Sequence, residues 1–286
     1  MDKLKYQYII VPHTQRDSTK VTLNNKKTIS ILHDPKGKGY NSPNEDPFVR
    51  YKSAWFYSFC HTNITLSSDV RKRIKEKNEK IKFVFISTEK DTKDKNEYPI
   101  WIIDTVIQLK DIIEIPKNNG NITLGDVVNA IAKNKNVNAN KRDIKNIIAK
   151  YHLPKLRNIQ KTYNKNACFS DEHSRPKSSS MFLGVADMNE SYFPFNENNK
   201  PIKISEEKDE ELVNNSIITK MITRNANKVH GYYPIKLLKN EDTTDALKMY
   251  KKELKQLCCT LNSKLESAKK IKAEDIESNA QGFIIP

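Results

Sequence analysis

The sequence has only four cysteines, and no two of them are spaced as C-x-x-C. Cys60, Cys168, Cys258 and Cys259 therefore predict neither a disulfide framework nor a zinc site, which favours a reducing, cytoplasmic location. The P-loop, dinucleotide and hydrolase-elbow motifs are also absent, so we expect no metal and no cofactor. No apolar run approaches the roughly 20 residues of a membrane span, and the first residues lack a signal-peptide core. We expect no membrane partner.

What the chain has in excess is positive charge. Its 286 residues include 50 Lys and Arg against 35 Asp and Glu, a formal net charge of +15. A surplus of this size attracts polyanions and accelerates encounter with them. We therefore expect a nucleic-acid partner, with DNA favoured. The alternative is a basic surface that is only solvated.

The pattern of apolar runs predicts an α/β fold, with a central sheet flanked by helices and a basic C-terminal helical extension. The predicted strands are 6–11, 28–32, 81–87, 99–109, 181–187 and 232–238, with 54–60 a strand or a helix. The predicted helices are 71–80, 123–134, 140–152, 210–225 and 243–271. We expect a main domain over residues 1–204 and a mostly helical part over 205–286 that packs on it.

Polar side chains follow the second predicted strand, where functional groups gather in α/β folds. His33 and Asp34 stand there before Pro35. A carboxyl group beside an apolar core has a raised pKa and can position a water molecule. The next loop offers phosphate-binding and stacking groups, namely Lys36, Lys38, Tyr40 and Asn41. The alternative for Asp34 is an Asp-Pro turn.

A second candidate loop precedes the strand at 181–187. His173 and Arg175 stand there with Lys177 and several serines, a set that can hold a phosphate or stabilise developing negative charge. His230, followed by Gly and two Tyr residues, is a competing candidate for the same role, with aromatic rings for stacking.

Two short motifs resemble the uracil-DNA-glycosylase-like superfamily. Leu32-His33-Asp34-Pro35 looks like its water-activating motif, and His173-Ser174-Arg175-Pro176 looks like its leaving-base loop. Leu32 and Lys36 stand where that family has Gly and Tyr, and Ser174-Arg175 replaces Pro-Ser. The resemblance covers residues 28–187.

The resemblance implies base excision from DNA. The target base would be extruded, because its sugar bond is unreachable inside a duplex. Asp34 would activate water or stabilise the sugar cation, and His173 would stabilise the departing base. Tyr40 or Phe48 would stack on that base, and Trp55 would wall the pocket. The departures from the family motif suggest a modified base as target, as in defence against foreign DNA.

Two other functions stay open. The first is a non-enzymatic module that binds nucleic acid or senses modified bases, supported by the charge and by Trp55-Phe56-Tyr57. The second is a metal-dependent nuclease built on Asp104 and Glu89-Lys90, for which the spacing is wrong. Asp104 is better interpreted as a buried, hydrogen-bonded strand residue. The joint between the helices at 123–134 and 140–152 is basic, which suits either a helix-turn-helix or an ordinary helical hairpin.

Overall fold

The structure is a computed structural model. It describes residues 6–12, 17–33, 48–51, 54–57, 66–88, 101–117, 122–137, 141, 142, 144, 180–204, 235–238 and 248–277.

A single mixed sheet organises the described chain. Its strands are β1 (Tyr6–Pro12), β4 (Phe48–Tyr51), β5 (Ala54–Tyr57), β6 (Lys82–Thr88), β7 (Trp101–Pro116), β8 (Ser180–Ala186), β10 (Ile202–Lys203) and β11 (Ile235–Leu238). The order is β11-β1-β6-β7-β8-β5-β4, and β10 pairs with β7. Among these pairs β1 with β6 is parallel and the others are antiparallel. The sheet with helices is confirmed, but its character is α+β, whereas a true α/β fold would need mainly parallel strands.

The long strand β7 is interrupted by two β-bulges. Phe85 pairs with Thr105 and Ile86 with Ile103, so Asp104 is an extra residue on β7. Lys110 is a second extra residue, because Ala186 pairs with Leu109 and Val185 with Asp111. A bulge bends the strand and increases its twist, so β7 curls as it passes from β6 to β8.

Alternating side chains of the central strands supply two separate apolar cores. On β6, Phe83 and Phe85 belong to one core and Val84 and Ile86 to the other, as a period of two requires. The first core is closed by a hairpin of β2 (Asp17–Thr22) and β3 (Thr28–His33) and by helix α1 (Ser68–Lys77). Helix α2 (Leu124–Lys133) packs on β7.

The helix α3 (Lys248–Glu266) closes the second core. Leu257, Leu261 and Leu265 recur every four residues, so they share one helix face, and all three are buried. The prediction of a basic C-terminal extension is therefore not confirmed, since this helix is part of the fold. After it, β12 (Lys269–Ile271) pairs with β9 (Phe193–Phe195), and a 3-10 turn follows at Ala273–Asp275.

The domain boundary at residues 204 and 205 stays a prediction. The segment 235–277 contributes β11 to the main sheet, and its Ile276 forms a bridge with Leu23 of the hairpin region. The segment therefore touches both the sheet and the hairpin. The predicted helix at 210–225 lies outside the described residues.

The ends of the first two helices follow from local residues. Helix α1 stops at Asn78, which adopts the left-handed conformation that Asn tolerates at a helix end. The Thr123 side chain accepts a hydrogen bond from the Asp126 N–H, and the Asp126 carboxylate accepts one from the Thr123 N–H. This reciprocal capping starts α2 where the sequence predicted.

Candidate nucleic-acid interface

Most of the side chains nominated from the sequence lie outside the described residues. These are Asp34, Lys36, Lys38, Tyr40, Asn41, His173, Arg175 and His230. Their roles therefore stay predictions. His33, Phe48 and Trp55 are described as strand residues.

His33 ends β3, where it pairs with Asp17 at the start of β2. Only residues 13–16 separate Asp17 from Pro12, the last residue of β1, so the two lie within about 18 Å. The hairpin end that carries His33 is thus tied to the carboxyl end of β1, and Asp34 follows it directly in the chain.

Several undescribed segments leave or rejoin the fold at this same edge of the sheet. Pro12 of β1 pairs with Ile86 near the end of β6, and β7 begins on the same side at Trp101. The N–H of Ile204 donates to the Trp101 carbonyl at 2.8 Å, and β11 enters opposite Ile10. The described residues that flank the segments 13–16, 89–100 and 205–234 therefore lie at this end of the sheet.

Buried polar groups mark the same end of β7. Trp101 and Thr105 are 2% and 0% exposed, and among described residues the indole Nε1 and the Oγ1 have no hydrogen-bond partner. Asp104 is buried at the first bulge of β7, which confirms the burial and the strand position that the sequence predicted. The sequence singled out neither Trp101 nor Thr105, because both lie inside a run that looks simply apolar.

Phe48 and Trp55 occupy a different part of the sheet. They lie in the β4–β5 hairpin, where Phe48 pairs with Tyr57 and Trp55 with Arg50. This hairpin joins the sheet through β8, and three strands separate β5 from β1. The described strands thus bring Phe48 and Trp55 together without pairing either with His33.

A hydrogen-bonded carboxylate joins the second bulge of β7 to the end of α2. Oδ2 of Asp111 accepts hydrogen bonds from Nδ2 of Asn134 at 2.7 Å and of Asn136 at 3.0 Å. Its Oδ1 accepts from the N–H of Ile112 at 2.7 Å. Burial raises the pKa of this carboxyl group, but the hydrogen bonds and the charge of Lys75 outweigh burial, so the pKa lies below its usual value. Asp111 therefore stays ionised.

Four exposed lysines lie on the elements that the Asp111 contacts join, and we term them the basic cluster: Lys75, Lys110, Lys133 and Lys135. Lys110 adjoins Asp111 in the chain, and Lys133 and Lys135 flank Asn134. Lys75 comes from α1 and acts on Asp111 electrostatically. The Asp111 contacts therefore link three described elements, a helix, a strand and a helix end, each of which carries an exposed lysine at or near the contact.

The basic joint after α2 carries two further exposed charges. Lys141 and Arg142 are exposed, whereas Ile144 is buried. Helix α2 is confirmed, but only residues 141, 142 and 144 of the second predicted helix are described. A helix-turn-helix at this joint stays a prediction.

Arg71 lies on α1 one turn before Lys75. Its guanidinium carbon is 3.6 Å from the centroid of the Phe182 ring, and its Nη1 donates to the Leu66 carbonyl at 2.6 Å. Desolvation lowers the pKa of Arg71, and the charge of Glu114 partly opposes that shift. An arginine keeps its charge in such surroundings.

Within the described ranges, His, Cys, Asp and Glu side chains form no group of three or more that could hold a metal ion. Glu89 and Lys90, considered for a nuclease, lie outside those ranges. No described helix is both long and apolar enough to cross a membrane.

Comparison of the chain with protein-family models, curated proteins and solved structures finds no match. The resemblance to uracil-DNA-glycosylase-like proteins stays a prediction from the motifs.

Proposed function

We propose that this protein binds nucleic acid, with DNA as its principal partner, through the basic cluster. The observation that carries the proposal is that Asp111 links elements which carry four exposed lysines: Lys110 beside Asp111, Lys133 and Lys135 beside Asn134, and Lys75 on α1. Gathering like charges on one surface is unfavourable in isolation, and a row of phosphates relieves the repulsion. The net charge of +15 supports the same partner.

The hydrogen bonds of Asp111 favour a preformed phosphate-binding surface. They fix the end of α2 against β7, so Lys133 and Lys135 keep their positions relative to Lys110 before any partner arrives. A surface that needs little ordering loses less free energy on binding. Phosphate contacts of this kind position a protein on nucleic acid without reading its sequence.

The reaction we propose at the bound DNA is excision of a base, with a modified base as substrate. Support for this step comes from the sequence motifs alone. Asp34 would activate the attacking water, and His173 would stabilise the leaving base. The extruded base would stack on Tyr40 or Phe48.

A non-enzymatic binding module is the second candidate. It is favoured by one observation: all four members of the basic cluster are lysines, and none of them is a candidate catalytic residue, so binding by them requires no catalysis. Both candidates share the binding surface and differ in whether a base is released.

The binding proposal is tested by removing the cluster and comparing it with a charge-matched control. Lys75, Lys110, Lys133 and Lys135 are changed together to Gln, and affinity for a fluorescent 20-base-pair duplex is measured at constant salt. The control carries four Lys→Gln changes at exposed positions elsewhere: Lys20, Lys27, Lys200 and Lys255.

We expect at least about a tenfold loss of affinity in the cluster variant and a much smaller loss in the control. Equal losses in both variants would mean that net charge alone attracts DNA. That result would contradict a specific interface.

The excision step is tested by a base-release assay. The protein is incubated with unmodified, uracil-containing and phage-modified DNA, and abasic sites are counted after alkaline cleavage. Glycosylase activity requires abasic sites on one substrate, and their loss in Asp34→Asn without a loss of thermal stability. If the protein binds the DNA but produces no abasic sites on any substrate, the binding module would be the function.

A further inference from the structure

Arg71 is held flat against an aromatic ring at the margin of the basic cluster. The distance of 3.6 Å between its guanidinium carbon and the Phe182 centroid is that of a stacked pair. Phe182 is buried at 7% exposure, whereas Arg71 is partly exposed. The ring therefore backs one face of the guanidinium plane, and part of the arginine remains open to solvent.

Two further contacts restrict the rotation of this guanidinium. Its Nη1 donates to the Leu66 carbonyl at 2.6 Å, just before the first turn of α1. Glu114 attracts it from β7, where it pairs directly opposite Phe182. The Glu114 carboxylate is itself held by the Ser180 hydroxyl, which donates to it at 2.7 Å. The orientation of the plane is thus set before binding.

We propose that Arg71 is a stacking platform for an unpaired nucleobase, which makes single-stranded or locally opened DNA the preferred ligand of this surface. The inference rests on the proposed nucleic-acid binding and specifies its substrate class. A guanidinium is weakly hydrated on its faces and stacks on planar π-systems. Bases inside a duplex have both faces covered by neighbours, so only an unpaired or extruded base can use the platform.

The position of Lys75 supports a nucleotide at this place. Arg71 and Lys75 are four residues apart on α1, so their side chains are neighbours on one helix face. Lys75 is exposed and belongs to the basic cluster. A base stacked on Arg71 would thus place its backbone beside a lysine, the combination by which single strands are held.

The test uses the full chain with three fluorescent ligands: a single-stranded 12-mer, an abasic strand of the same length that lacks all twelve bases, and a 20-base-pair duplex. Arg71→Lys keeps the charge and removes the planar group. The matched control is Arg142→Lys, at an exposed arginine outside α1. Circular dichroism and thermal melting verify the fold of both variants.

We expect wild-type protein to bind the 12-mer at least about fivefold more tightly than the abasic strand, and Arg71→Lys to abolish that difference. Binding of the duplex and of the abasic strand should change less than twofold in either variant. Equal wild-type affinity for the 12-mer and the abasic strand would overturn the inference and leave the proposed function intact. Wild-type protein that binds none of the three ligands would overturn both.

A measurement on the wild-type protein covers the case in which Arg71→Lys does not fold. The side-chain Nε–H resonance of Arg71 is followed by NMR during titration. A stacked base should shift it upfield through its ring current, and the abasic strand should not. Identical shifts with both strands would contradict stacking.

Discussion

Removal of the Asp111 carboxylate tests the contact that organises the basic cluster. In Asp111→Ala, the amide groups of Asn134 and Asn136 and the N–H of Ile112 all lose their acceptor. The end of α2 then has no polar link to β7 through this residue. We expect a less stable protein in which the region around residues 134–136 opens first.

The magnitude follows from the number and exposure of these bonds. A hydrogen bond to a charged group contributes about 1.5–3 kcal/mol, but Asp111 and both asparagines are partly exposed, so water replaces part of each bond. We therefore expect a loss of about 2–3 kcal/mol in the free energy of unfolding. For a chain of this length that lowers the melting temperature by about 5 °C.

The pH dependence gives the more specific signature. The pKa of Asp111 is lowered in the folded state, so its contribution to stability is fully present above the unfolded-state value of about 3.9. It is lost as pH falls through the lower folded-state pKa. The stability difference between wild type and Asp111→Asn should thus be constant from pH 7 to 5 and shrink below pH 4.

Urea unfolding at a series of pH values measures this difference. Asp187→Asn is the control, since that carboxylate accepts a single described hydrogen bond, from the nearby N–H of Asn189. A gap for Asp111→Asn that stays the same from pH 7 to pH 3 would refute the reasoning. The reasoning would also fail if Asp111→Ala lowered the free energy of unfolding by no more than the control Asp187→Asn does.

Two further predictions concern the packing that supports the surface. Glu79→Gln should destabilise the fold by about 3 kcal/mol, because it removes the negative charge beside the buried guanidinium of Arg73. The two side chains are only 7% and 10% exposed. A loss below about 1 kcal/mol in urea unfolding would show that water solvates the pair. Leu261→Ala should cost about 2–5 kcal/mol because it opens a cavity beneath α3. An unchanged melting temperature would mean that α3 lies outside the cooperative core.

The strands predicted from the sequence are those with continuous apolar runs. The run at 81–87 is an example, since its side chains enter both cores. The strand β7 was predicted to end at Leu109 but continues to Pro116, because the bulge at Lys110 and the hydrogen-bonded Asp111 place polar residues inside the strand. β2 was missed for a related reason: its sequence is mostly polar, and pairing with β3 defines it.

The predicted helix over 243–271 is confirmed in part by the helix at Lys248–Glu266. Its lysines led to the prediction of a basic extension packed on the main domain, and Leu257, Leu261 and Leu265 bury one face of the helix in the second core. The helix also ends at Glu266, and the following residues form β12. Pairing of β12 with β9 joins segments more than 70 residues apart, which no local pattern indicates.

The basic cluster could not be predicted from local sequence. The lysines at 133 and 135 were noted at a basic joint, but Lys75 and Lys110 come from other elements. The strand and the end of α2 are linked because Asp111 accepts hydrogen bonds from residues 23 and 25 positions away. In the sequence, Asp111 looks like the polar end of a strand.

The salt dependence of DNA binding tests whether the lysines of the basic cluster contact DNA phosphates. The affinity of wild-type protein for a duplex is measured between 50 and 200 mM salt, with the cluster variant alongside. Four lysine–phosphate contacts predict a slope of about −3.6 in a plot of log affinity against log salt, hence a loss of roughly 150-fold over this range. We expect the wild-type slope to be at least this steep. In the cluster variant we expect the slope to be less negative by about 3.6. A wild-type slope near zero, or the same slope in both proteins, would contradict it.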